Sequence, residues 1–138
     1  MPENHALSPL VEVEARRGRI HLRMTAQFMG QDLSVTLSGG DRPHIGAVAL
    51  GAPHTSPSAL SLPRHREGEL AQRIAARLAA EFHVAVCVAC GVHLEGISPE
   101  EIQDVLAMAD ALTHELSAHL EALPPALPGK QVCPPVDR

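Results

Sequence analysis

The chain has 138 residues and a mass of 14.7 kDa, enough for one ordinary domain. Apolar residues at 45% and charged residues at 20% exclude a disordered or fibrous chain. The net charge of -5 excludes a broad nucleic-acid surface and an anionic membrane as partners.

Phe28 and Phe82 stand without any Trp or Tyr, so an aromatic cage or stacked-base platform is excluded too. No run approaches the roughly 18 to 20 apolar residues that span a bilayer. Met1 to His5 has neither the basic start nor the apolar run of a signal peptide. Three cysteines, an odd number, make no disulfide framework, and the expected compartment is the cytoplasm.

In chain order, residues 1–8 read as a loose leader. Leu10 to Ala15 alternates, with Val11, Val13 and Ala15 on one face, and Gly18 marks a turn. Ile20, Leu22, Met24, Ala26 and Phe28 then alternate with polar residues, which predicts a half-buried strand. After a turn at 29–32, Leu33, Val35 and Leu37 predict a third strand. A glycine-rich break at 38–43 precedes a fourth, Ile45 to Leu50, apolar on both faces. Short connections favour an antiparallel meander. Residues 51–66, holding Pro53, Pro57 and Pro63, read as a long loop.

From Gly68 the period lengthens. Leu70, Ile74, Leu78 and Phe82 predict an amphipathic helix ending near His83. Val84 to Cys90 is a continuous apolar run and reads as a strand buried on both faces. Ser98-Pro99-Glu100-Glu101 is a helix start with an N-cap, a proline at the first position and a capping box. A stripe from Ile102 to Leu123 continues that helix to Pro124-Pro125. Residues 124–138 read as a proline-rich disordered tail, leaving 9–123 as the domain. The order ββββαβα predicts an α+β fold, a mostly antiparallel sheet with two helices on one face. The apolar outer residues of 45–50 and 84–90 make a homodimer across the other face an expectation.

Three segments put glycines and polar residues where structure alone does not need them. Gly39, Gly40, His44 and Gly46 form the first; glycines there serve either a tight turn or close approach to a ligand. Arg64, His65, Arg66, Glu67 and Glu69 lead into the first helix, whose N-terminus suits a phosphate or carboxylate; the alternative is a solvated basic loop. Glu67 and Glu69 would oppose an anion there unless they pair with Arg66 and Arg64 or hold a cation. His93, between Gly91 and Gly96, is the third, as a ligand contact or as a cap on a carbonyl. His44, His65 and His93 could together bind a divalent metal, although no local ligand spacing supports it. Cys87 and Cys90 are three apart on a strand, point to opposite faces and share neither a metal nor a disulfide. No nucleophile elbow, P-loop or dinucleotide fingerprint is present.

The runs Ser38-Gly39-Gly40-Asp41-Arg42-Pro43-His44-Ile45-Gly46, His65-Arg66-Glu67-Gly68-Glu69-Leu70 and Gly91-Val92-His93-Leu94-Glu95-Gly96-Ile97-Ser98-Pro99-Glu100-Glu101 occur in order. Together they resemble the LpdD-like family, small accessory subunits of gallate-type aromatic-acid decarboxylases. The resemblance covers about residues 9–120. It implies a chaperone that takes prenylated FMN from a flavin prenyltransferase and delivers it to a UbiD-type decarboxylase without turning over substrate. The family's motif residues map to Gly39, Gly40, His44, Gly46, His65, Glu67, Glu69 and His93. The residues alone leave an alternative open: a metal-dependent hydrolase or lyase using the three histidines, with Glu67 or Glu69 as base.

Overall fold

The structure, a computed structural model, describes residues 9–124. The leader expected at 1–8 lies outside the described residues, as does all of the expected tail but Pro124. The elements are β1 (Val11–Arg17), β2 (Ile20–Met29), β3 (Asp32–Gly40), β4 (Ala47–Ala52), β5 (Thr55–Ser61), α1 (Gly68–Phe82), β6 (Val86–His93) and α2 (Pro99–Glu121). They form one six-stranded sheet in the order β1-β2-β3-β6-β4-β5. Every pairing is antiparallel except β3 with β6. The fold is α+β with a mostly antiparallel sheet, as the sequence pattern predicts.

The period-2 alternation of β1, β2 and β3 becomes a layer. Val13 stands opposite Met24, Met24 opposite Leu37, Leu37 opposite Cys90 and Cys90 opposite Ala47. All five are buried on the same side of the sheet. Both helices cover that side: α2 packs on β1 and β2, and α1 on β4, β5 and β6. The stripe of α1 buries Leu70, Ala71, Ile74, Ala75, Leu78 and Ala79. Its alanines let the helix sit close, so that a Cβ on Gly51 would stand 3.1 Å from the Ala75 backbone. The capping box of α2 is formed: Ser98 Oγ accepts the Glu101 N–H at 3.1 Å, and Glu101 Oε1 accepts the Ser98 N–H at 3.1 Å.

Three expectations are corrected. The meander stops at β3, because β6 inserts between β3 and β4. β6 carries the most continuous apolar run, and a central position covers both its backbone edges. Residues 51–66 are not all loop: Thr55–Ser61 is β5, an edge strand paired with β4. It tolerates Pro57, and it is mostly exposed, so it shows no hydrophobic period. Finally, β4 and β6 are covered on one face only within this chain. On the other face Leu50 is 60% and Leu60 77% exposed, and Cys87 is exposed while Cys90 is buried. The apolar outer residues that suggested two-sided burial thus line an open face.

Candidate functional site

The three segments singled out in the sequence meet at one end of the sheet, around the end of β6. Gly39 and Gly40 of β3 stand opposite Val92 and His93. The β3–β4 loop is then tied down at both ends, by Asp41 N–H to the His93 carbonyl at 2.7 Å and Gly46 N–H to the Cys90 carbonyl at 2.9 Å. The Leu62 N–H donates to the Gly46 carbonyl at 2.8 Å, which brings the β5–α1 loop alongside. Asp41 Oδ2 accepts the Glu95 N–H at 2.9 Å and holds the exit of β6.

The glycines differ in purpose. Gly40 has φ +78°, and a Cβ there would come within 2.0 Å of the His93 carbonyl oxygen, so no side chain fits. Gly46 lets the Glu67 carboxylate and the His65 ring close against the backbone, each with an atom 2.7 Å from where a Cβ would stand. Gly39 lies against the His21 and Leu22 backbone of β2 and serves sheet packing.

His44 and Glu67 form the half-buried centre. Their side chains are 23% and 14% exposed, with His44 Nε2 3.6 Å from Glu67 Oε1. His44 Nδ1 donates to the Arg42 carbonyl at 3.0 Å, and His65 Nδ1 to the Pro63 carbonyl at 2.8 Å. The His44 and His65 rings are 5.0 Å apart between centroids. The Val92 N–H reaches Glu67 Oε1 at 3.5 Å. His44 Nε2 and Glu67 Oε2 are shielded from solvent and have no hydrogen-bond partner. Beneath them lies Cys90, whose thiol is pushed up to about 12 by burial, with the Glu67 charge adding to it. It remains protonated at neutral pH and is no nucleophile.

The remaining residues stand around this centre. Arg64 and Arg66 are exposed and form no ion pair among the described residues, so neither neutralises Glu67 or Glu69. Glu67 is the N-cap of α1, but its side chain makes no capping bond and turns to His44 instead. Glu69 is exposed on the first turn of α1. The histidine metal set is not supported. The His93 ring is 6.4 Å from that of His44, and its Nε2 lies 3.3 Å from Glu95 Oε2. Among the described residues no three His, Cys, Asp or Glu side chains make a ready metal-ligand group.

Sequence reasoning undervalued two residues here. Asp41 braces the β6 exit, and Gly91 lies where a Cβ would come within 1.8 Å of the His44 carbonyl oxygen. Gly91 could have been found from its place directly after a buried strand. Nothing local marks Asp41, whose partner is 54 residues away.

A sheet with both helices on one face, carrying a cluster of His, Glu, Arg and Gly on converging loops, defines a small α+β domain with its polar loops gathered at one end of the sheet. The prenylated flavin chaperone LpdD-like domain matches residues 16–121, and the chain belongs to that family. Protein LpdD of Lactiplantibacillus plantarum is 27% identical over 103 residues, covering 71% of this chain and 76% of that protein. The fold is also similar to a chain in the crystal structure of a chaperone complex for yeast 20S proteasome assembly. There the TM-score is 0.56 at 11% identity, over 80% of this chain and 98% of the other.

Proposed function

We propose that this protein binds prenylated FMN as cargo, receives it from a flavin prenyltransferase and passes it to a UbiD-type decarboxylase in the cytoplasm. Membership of the prenylated flavin chaperone family supports the cargo. The observation that carries the site is the convergence of the β3–β4 loop, the β5–α1 loop and the end of β6, which brings His44, His65, Glu67 and His93 together. Arg64, Arg66 and the N-terminus of α1 suit the phosphate of the cargo. With no Trp or Tyr in the chain, the ring system rests on aliphatic and imidazole surfaces. Such contacts suit a ligand that must be handed on. Neither the relatives nor the geometry favours the hydrolase or lyase alternative.

The test is an anaerobic titration of the protein with reduced prenylated FMN, followed by mixing with apo-decarboxylase. Saturable binding and a faster gain of decarboxylase activity are expected. Absence of binding rejects the reading. Arg66→Ala is expected to weaken binding about tenfold, since a charge-assisted bond to phosphate is lost. Unchanged affinity would remove Arg66 from the phosphate site. His93→Ala is expected to lower cargo affinity without loss of helical signal. An unfolded variant would make His93 structural.

A further inference from the structure

The open face of the sheet is without charge over most of four of its six strands. Strand register fixes which side chains share that face. One row crosses the sheet as Glu12, Thr25, Thr36, Ala89, Val48 and Leu60. The next runs Gln27, Ser34, Cys87, Leu50 and Ser58. The chain has 11 basic and 16 acidic residues, yet none of these positions on β3, β6, β4 and β5 carries a charge. Asp32, at the start of β3, is tied to the Ala85 N–H at 3.0 Å. The outward charges of β1 and β2 cancel: Glu12 and Glu14 stand with Arg16 and Arg23. Glu12 pairs with Arg23 at 2.9 Å, and Glu14 with His21 at 2.8 Å. An uncharged centre with paired charges at its margin is the anatomy of a protein interface.

The same patch holds both a projection and a recess. Leu60 is 77% exposed, and beside it lies a hollow of about 310 Å³ lined by Val48, Leu50, Ser58 and Cys87. An isologous contact sets one patch against itself, so like meets like around the two-fold axis. It therefore needs a projection and a recess on one face and no unbalanced charge. Both conditions hold here, although the whole chain carries -5. A strongly charged partner finds no counter-charge on these four strands.

The size also suits a second copy. At the usual strand spacing and rise, six strands of seven residues measure about 29 by 23 Å, or about 650 Å² per copy. Two such faces exceed the roughly 1,000 Å² that a stable interface buries.

We propose that two copies of this chain pack their open faces together. Val48, Leu50 and Leu60 of each copy seat against Thr36, Cys87 and Ala89 of the other, and β1 and β2 form the polar rim. The dimer goes beyond the carrier reading and holds whatever the cargo is, so either can fail without the other.

The experiment measures the mass of the full chain by light scattering over the micromolar range, together with the rate at which iodoacetamide labels Cys87. A mass of twice 14.7 kDa is expected at the upper end. Labelling of Cys87 is expected to slow several-fold as the protein is concentrated, because only the dissociated chain exposes it. Leu50→Asp places a charge at a position 60% exposed in the single chain, so the fold is kept. It is expected to give a monomer with an unchanged circular dichroism spectrum and a labelling rate independent of concentration. A wild-type monomer throughout overturns the dimer, and if Leu50→Asp then abolishes binding to the decarboxylase, the face belongs to that enzyme. A dimer that survives Leu50→Asp, or one in which Cys87 is labelled as fast as in dilute protein, overturns the assignment of this face.

Discussion

Single residues in this protein owe their behaviour to where the sheet ends. Gly40 is the clearest case, since its left-handed backbone and its approach to the His93 carbonyl both exclude a side chain. Gly40→Ala is expected to cost about 1–3 kcal/mol or more, read as a lower urea midpoint with an unchanged slope. The two strand cysteines make a second residue-scale prediction. Cys87 is exposed, whereas Cys90 is buried and its thiol is pushed up to about 12. Iodoacetamide at neutral pH is expected to modify Cys87 and spare Cys90 in peptide maps of the native protein. Equal labelling would mean that β6 opens in solution. That the two side chains face opposite sides was legible from their spacing of three on a strand. That Cys90 lies beneath Glu67 was not, because 23 residues and a strand crossover separate them.

At the scale of elements, the start of α2 is secured twice over. Its capping box is local, but Arg19, in the turn between β1 and β2, also donates to Glu101 at 2.7 and 2.9 Å. That bond, ahead of the Ser98 backbone N–H, holds the Glu101 carboxyl at about 2 against an ordinary 4.5. A carboxyl with a lowered folded-state value stabilises the fold above its unfolded value, and the contribution is lost as pH falls from 4.5 toward 2. Arg19→Ala is therefore expected to lower the urea midpoint at neutral pH and to flatten its decline over that acid range. Parallel curves for wild type and variant would mean that the pair is too well solvated to matter. The body of α2 depends on packing: Leu116 is fully buried, and Leu116→Ala is expected to cost about 2–5 kcal/mol in urea unfolding. The capping box was readable from Ser98-Pro99-Glu100-Glu101 alone. The Arg19 clamp was not, since it spans 82 residues.

For the whole molecule, the open face of the sheet is the main exposed apolar surface. Val48, Leu50 and Leu60 are exposed there beside Cys87, where they line an apolar hollow of about 310 Å³. Contiguous exposed apolar area marks interfaces more often than free surface, and the homodimer expected from the sequence would cover it. Leu60→Asp is expected to shift sedimentation velocity from dimer to monomer with the fold retained. A wild-type monomer at micromolar concentration would assign the face to another partner, and the decarboxylase is the first to try.

What the sequence by itself determined is what repeats along the chain or sits in adjacent residues. Period-2 alternation set β1 to β3, period-3.6 stripes set both helices, and glycines at Gly18 and Gly30 set the hairpin turns. These signals are legible because each arises from the geometry of one element. The tertiary structure alone decided that β6 inserts between β3 and β4, that β5 exists as a bare edge, and that the second face stays open within the chain. It also decided the character of the site. The motif predicts a basic place for an anion, whereas the fold turns Glu67 inward to face His44 and leaves the arginines outside. Charges separated along the chain become neighbours only when the strands are ordered, and strand order follows from which apolar run is best covered on both edges. A residue list carries the identity of such a site, but the direction in which its side chains point is a property of the packed sheet.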